Sequence, residues 1–378
     1  MLPYGRQSVG ADEIEAVAAV LRGDWLTTGP AVSEFESRLS TVAGGVSAVS
    51  VTSGTAALHT AYAAAGVGPG DEVVCSPLTF VATASTAAML GATVVFADVE
   101  PDTALLDPDA AKAAVTGRTR VISAVDYAGH PADYAALRSV ADAAGALLLD
   151  DAAHSIGATH RGAPIGSLAD LTTFSFFPTK NLTTAEGGAV ATPHADLARR
   201  AARFRTIGLV REPAEFRITD QGGWHQEVHE FGLNYRLPDV LCAIGIVQLR
   251  RLPAFLARRA ELADRYRRLL SDVDGLVLPA QRPDVTPAWH LFPVRVLDGR
   301  RREIYDGMRA AGIGVQVNYV PVYWHPVFAD AGYRRGQCPN AEAYYAQQLS
   351  LPMFPGLTDA EQDMVVDRLR TLLSRGTR

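Results

Sequence analysis

The chain has 378 residues, 48% of them apolar and 20% charged, the proportions of a soluble globular protein with one large domain and one smaller. Its formal net charge of −6, with acids scattered among short arginine runs, excludes the electrostatic footprint of a nucleic-acid binder. Only two of the 35 basic side chains are lysines, Lys112 and Lys180, so any imine chemistry falls to one of these two positions.

The opening, Met1-Leu2-Pro3-Tyr4-Gly5-Arg6, reads as an arm rather than a leader, because it has no apolar stretch. Helices are predicted from about Asp12 to Arg22 and again through Val32, Phe35, Leu39 and Val42, whose spacing puts them on one face. From residue 46 to about 190 short apolar strands alternate with helices. Strands are expected at Ser47–Val51, Glu72–Cys75, Thr93–Ala97, Arg120–Val125, Leu147–Asp150, Leu171–Phe176 and Gly188–Thr192. That rhythm predicts an α/β domain with a mostly parallel sheet, which binds ligands at the carboxyl ends of its strands.

Residues 204–238 lose the periodicity, as a functional or interface loop would. Two long helices are expected next, Asp239–Arg251 and Ala254–Leu270. A mixed α+β segment follows and ends in the helix Asp359–Leu373. The domain boundary is placed between 245 and 246, giving an arm and large domain (1–245) and a small C-terminal domain (246–378). Cys75, Cys242 and Cys338 lie far apart with no Cys-x-x-Cys, so neither a disulfide framework nor a metal site is expected. No stretch reads as ~18 apolar residues, so no membrane partner is expected and the cytoplasm is the expected location.

Three segments carry chemistry. In Val51-Thr52-Ser53-Gly54-Thr55-Ala56 a strand runs straight into an alanine-rich helix, which suits a phosphate at the helix N-terminus; a simple cap by Ser53 or Thr55 is the plainer alternative. Leu147–Leu149 end in Asp150 and Asp151, followed by His154; a carboxylate there can meet a cationic ligand nitrogen, or cap a helix. Lys180 follows an apolar strand and precedes Glu186-Gly187-Gly188, a secluded place where desolvation lowers a lysine's pKa and makes it nucleophilic. Lys112 instead sits on a solvated helix start. A phosphate turn, an acid and a secluded lysine are the three anchors of a pyridoxal phosphate site. No Gly-x-Gly-x-x-Gly follows a predicted strand, which disfavours a dinucleotide-binding dehydrogenase.

These segments, with Trp25-Leu26-Thr27-Thr28-Gly29-Pro30, Pro69–Val74, Thr79–Thr83, Gly232–Arg236 and Gln248-Leu249, resemble the DegT/DnrJ/StrS sugar aminotransferases over nearly the whole chain. The resemblance implies the pyridoxal phosphate (PLP) fold of type I, with a small α+β C-terminal domain. It implies that Lys180 forms the internal aldimine and shuttles the proton, that Asp151 partners the pyridine nitrogen and that His154 lies near the ring's 3-oxygen. Phe80 would stack on the ring, and Ser175 with Gly54, Thr55 and Ala56 would cup the phosphate. Asn234 would reach the phosphate from the other subunit, making a homodimer with shared active sites. Substrate contacts are expected from Trp25, Thr27, Tyr127, Arg236, Tyr319, Tyr323 and His325 and from the 204–230 loop, with core packing an equal reading for each.

The implied reaction moves an amino group from L-glutamate, through PMP, to a nucleotide-linked keto sugar. Val125–Gly129, Leu182–Glu186 and Tyr323 resemble the subgroup acting on UDP-linked 4-keto-6-deoxyhexosamines in pseudaminic-acid pathways. A TDP-keto sugar, a cyclitol or a nucleoside sugar of antibiotic biosynthesis is the alternative. A non-catalytic homologue is disfavoured by the intact lysine, acid and phosphate turn.

Overall fold

The computed structural model describes residues 1–218 and 220–374. Its centre is a seven-stranded sheet of β1 (Ser47–Val51), β2 (Glu72–Cys75), β3 (Thr93–Phe96), β4 (Thr119–Val125), β5 (Leu147–Asp151), β8 (Leu171–Ser175) and β9 (Gly188–Thr192). A small hairpin, β6 (Thr159–His160) with β7 (Ala163–Pro164), interrupts the series. The order across the large sheet is β1-β9-β8-β5-β4-β2-β3, and β9 alone runs antiparallel to its neighbours. The mostly parallel sheet read from the alternation is therefore present, with strand bounds within one residue of those expected.

Side chains alternate across the pleat, so successive residues of each strand enter different cores. Val74, Ile122 and Leu148 pack beneath α2 (Pro30–Val42), α5 (Pro108–Ala114) and α6 (Tyr134–Ala144). Val73, Val121 and Leu149 pack beneath α3 (Gly54–Ala64), α4 (Ala82–Met89) and α7 (Ala195–Phe204). Both faces are thus covered, as a parallel sheet of near-continuous apolar strands requires.

One expectation fails. The two helices predicted on either side of Pro253 are one helix, α8 (Asp239–Leu270), of 32 residues with Pro253 inside it. A mid-helix proline costs roughly 3 kcal/mol. Burial outweighs it: Leu249, Leu252, Phe255, Arg259 and Leu262 flank the proline and are all buried. α8 is also long and apolar enough to cross a membrane by length and composition, contrary to the expectation that no stretch is. Here its apolar face is instead packed inside protein. Its first half lies against α1 (Ala11–Arg22) and α2, and its second half adds Leu262, Ala263, Tyr266 and Leu270 to the core of the C-terminal region. The 245/246 boundary falls within this helix.

The C-terminal core wraps an antiparallel sheet of Leu276–Val277, Phe292–Val296 and Gln348–Leu351. The N-terminal arm is fastened to it. Leu2 exchanges backbone hydrogen bonds with Gly312 and Gly314, and the Met353 N–H donates to the Tyr4 carbonyl at 3.0 Å.

Candidate active site

The carboxyl ends of β4, β5 and β8 open into a cavity of about 560 Å³. The N-terminus of α3, the loop after β8, the arm and residues 316–319 close it.

The phosphate turn is built by close approach. Ser53 caps α3, its Oγ accepting the Ala56 N–H at 3.1 Å, so the capping reading holds while Gly54 and Thr55 still line the cavity. A Cβ on Gly54 would come 2.7 Å from Ser175 Cβ, and one on Gly188 would come 2.3 Å from the Ser53 carbonyl oxygen. Glycine at both places lets the helix start press against the end of β8. First-turn N–H groups have no acceptor within their own helix, which is why such a turn takes an anion. Ala56 contributes backbone rather than lining.

Asp150 and Asp151 point to opposite faces of the sheet, as adjacent strand residues must. Asp151 lines the cavity; its Oδ2 accepts from Thr83 Oγ1 at 2.6 Å and its Oδ1 from the Ala153 N–H at 3.3 Å. Burial raises its pKa against the lowering effect of Thr83 and Lys180. Asp150 is instead sealed near Asp126, where burial and the second carboxyl push its pKa well above the usual range.

Lys180 is half-buried on the cavity wall. Desolvation pulls its ammonium down to about 8, opposed by the charge of Asp151. At neutral pH a usable fraction is free amine, as a carbonyl-condensing lysine needs. Asn181 ties the segment down by donating to the carbonyls of His154 and Ala288, at 3.3 and 3.1 Å.

His154 is buried, and desolvation with the nearby Lys180 holds its pKa well below the usual value, so the ring is neutral with one N–H. Its Nε2 lies 3.1 Å from the Tyr319 hydroxyl, whose pKa is raised by burial and which therefore keeps its proton. With Tyr319 donating, the His154 proton sits on Nδ1, a buried atom with no hydrogen-bond partner. An acceptor oxygen brought into the cavity would satisfy it. Phe80 stands at the cavity wall with 57% of its surface exposed, a flat ring with little protein against it.

The structure thus brings together Gly54, Thr55, Phe80, Asp151, His154, Ser175, Lys180 and Tyr319. Besides Ala56, seven expected residues do not line this cavity. Tyr127 and Tyr323 are core side chains with spent hydroxyls: Tyr127 donates to the Asn318 carbonyl, and Tyr323 donates to Glu342 Oε1 at 2.6 Å. Trp25, Thr27 and Asn234 are exposed, and Arg236 and His325 are half-buried outside it. Thr219 of the 204–230 segment lies outside the described residues.

Tyr4, Thr79, Glu186, His290 and Asn318 line the cavity without having been singled out as site residues in the sequence. His290 packs against His154 with ring centroids 4.3 Å apart and the planes tilted by 34°. The only sequence signal for it is a histidine set among apolar residues, Trp289-His290-Leu291-Phe292, which a buried structural histidine shares.

An unpartnered buried imidazole nitrogen, a bared aromatic face, a buried carboxylate, a lysine of lowered pKa and an anion-ready turn fit the five faces of one pyridoxal phosphate molecule. Comparison with known proteins agrees. The sequence profile of the DegT/DnrJ/EryC1/StrS aminotransferase family matches residues 7–370. The spore coat polysaccharide biosynthesis protein SpsC of Bacillus subtilis is 38% identical, over 98% of this chain and 97% of its own. The PMP form of the putative sugar aminotransferase Spr1654 from Streptococcus pneumoniae superposes with a TM-score of 0.93 at 30% identity, covering 99% of this chain and 100% of that one. Helicobacter pylori PseC, an aminotransferase involved in the biosynthesis of pseudoaminic acid, gives 0.92 at 26% identity and covers 99% of each chain. The protein is a PLP-dependent sugar aminotransferase of fold type I. With this cavity and a match running almost from end to end, the chain belongs to the DegT/DnrJ/EryC1/StrS aminotransferase family.

Proposed function

We propose that the protein transfers an amino group from L-glutamate to a nucleotide-linked keto sugar, with a UDP-linked 4-keto-6-deoxyhexosamine as acceptor. The observation that carries this reading is the convergence of Lys180, Asp151 and the Ser53-Gly54-Thr55 turn on one cavity. When bound, PLP supplies an electron sink for the pair left behind when the donor's Cα proton is removed.

The chain's own residues do the rest. Asp151 is the carboxylate for the ring nitrogen, where a buried cation would repay the cost of its ionisation. Lys180, with its lowered pKa, takes and returns the proton. Phe80 covers one ring face, His154 serves the 3-oxygen, and Gly54, Thr55 and Ser175 hold the phosphate. Asn234, exposed and outside its own chain's cavity, completes the site of a second copy, so the active form is a homodimer.

Three observations favour the acceptor. Val125 and Glu186, from the two segments resembling the UDP-sugar subgroup, line the cavity. Tyr323 stands where many members of the family have histidine, a departure that the UDP-sugar subgroup shares. PseC, of pseudoaminic acid biosynthesis, shares the whole fold.

Two measurements test the proposal. Borohydride trapping with PLP, followed by peptide mapping, will mark Lys180 and leave Lys112 unmarked, and Lys180→Ala will remove the long-wavelength absorption; a label on Lys112 would overturn the assignment. Incubation with ¹⁵N-glutamate and a panel of UDP- and TDP-linked keto sugars, read by mass spectrometry, will place the label in the UDP-linked product. Label in a TDP-sugar alone would move the acceptor class, and no label in any sugar would refute transamination of this class.

A further inference from the structure

Beside Asp151 lies a pair of threonines four residues apart, Thr79 on the cavity wall and Thr83 in the first turn of α4. Thr79 Oγ1 and Thr83 Oγ1 are 2.7 Å apart, and Thr83 Oγ1 is 2.6 Å from Asp151 Oδ2. All three side chains are buried. A hydroxyl has one hydrogen, and that sets the direction of the chain. Beside an ionised Asp151, Thr83 donates to the carboxylate, and the 2.6 Å separation is that of a charge-assisted O–H···O⁻ bond. The only hydrogen left for the 2.7 Å contact belongs to Thr79, so Thr79 donates to Thr83. Beside a protonated Asp151, the carboxyl donates instead and Thr83 turns to the Phe80 carbonyl, a contact of 3.2 Å.

We infer that Thr83, polarised from behind by Thr79, is a positioning residue that holds Asp151 ionised and fixes the rotamer it presents to the cofactor nitrogen. The inference rests on the reading of Asp151 as the partner of that nitrogen. The Thr83 backbone N–H donates to the Phe80 carbonyl at 3.2 Å, so one residue links the groups assigned to the edge and the face of the ring. Burial works against the Asp151 anion, and Thr83 is foremost among the groups that favour it.

The test compares Thr83→Val, Thr83→Ser, Thr79→Val and Asp151→Asn. PLP is titrated into each apo-protein by absorbance, and kcat and KM for glutamate are measured on the loaded forms. Valine keeps the shape and removes the hydroxyl. Loss of a bond to a charged group predicts that Thr83→Val weakens PLP binding about tenfold or more and lowers kcat with little change in KM. Thr83→Ser, which restores the donor, will recover both, and Thr79→Val will show a smaller loss of the same kind. A packing role alone would be damaged by serine, which lacks the methyl, and spared by valine; that pattern would overturn the inference. If Asp151→Asn collapses PLP binding while Thr83→Val does not, the relay is refuted and Asp151 keeps its role. If Asp151→Asn itself changes nothing, both fall together.

Discussion

Lys180 has a value of about 8 against an ordinary 10.5, and the direction follows from its surroundings, since burial penalises the ammonium more than Asp151 stabilises it. Only the free amine condenses with an aldehyde. Capture of PLP by the apo-protein will therefore rise with pH up to about 8 and level off above it, with a fall of about tenfold for each unit below. The second-order rate of appearance of the long-wavelength absorption measures this. A rate that keeps rising about tenfold per unit through pH 9, with no levelling near 8, would show that Lys180 is not desolvated. The stability of the apo-protein carries the same sign. Between 8 and 10.5 the unfolded chain binds more protons at this lysine than the folded one, so that contribution to stability grows as pH rises.

Residues of this kind were legible because a scarce residue type stood in an unusual place: a lysine after an apolar strand, an acid at a strand's end. Tyr127 and Tyr323 show the limit. A tyrosine that reads a sugar and one whose hydroxyl is spent on Asn318 or Glu342 look the same in a sequence. Tyr4 and His290 were missed because they enter the cavity through contacts more than a hundred residues apart in sequence, and no local pattern marks them.

At the scale of elements, the strands and their connecting helices were legible to within a residue or two, because the pleat and the covered faces impose a period on the apolar residues. α8 was not, because Pro253 is a local signal and the packing that overrides it is not local. The same helix carries Arg259, fully buried, whose guanidinium donates to the carbonyls of Trp289, His290 and Met353 at 3.1, 3.2 and 3.1 Å. Desolvation pulls it down to about 10, and it stays charged at neutral pH. It thereby pins the loop that places His290 against His154. Arg259→Met fills similar volume and leaves three buried carbonyls short of a donor. Equilibrium urea unfolding will show a loss of about 3 kcal/mol. An unchanged midpoint would mean that water or a neighbouring N–H replaces the guanidinium.

For the whole molecule, the question is what covers the apolar groups left outside the buried cores. Phe231 is 100% exposed, Trp224 81% and Trp25 56%, and Leu26, Ile207, Ile218, Val228 and Leu233 are exposed beside them in sequence. Most belong to residues 205–233, the stretch whose lost periodicity first suggested an interface, and it leads directly to Asn234. Single exposed apolar residues are ordinary, but so many along one stretch of chain suit a surface that another protein covers. The proposed occupant is a second copy of the chain, which would also account for Asn234 lying outside its own chain's cavity. Complementation separates this arrangement from self-contained sites. Lys180→Ala and Asn234→Ala are each expected to be inactive or nearly so as pure proteins. In a mixed dimer, one site combines both substitutions while the other receives Lys180 from one chain and Asn234 from its partner, both intact. Equal mixing after reversible dissociation gives mixed dimers half the time, so activity will return to about a quarter of the native value. If each chain completes its own site, no native site can form by mixing and no activity will return.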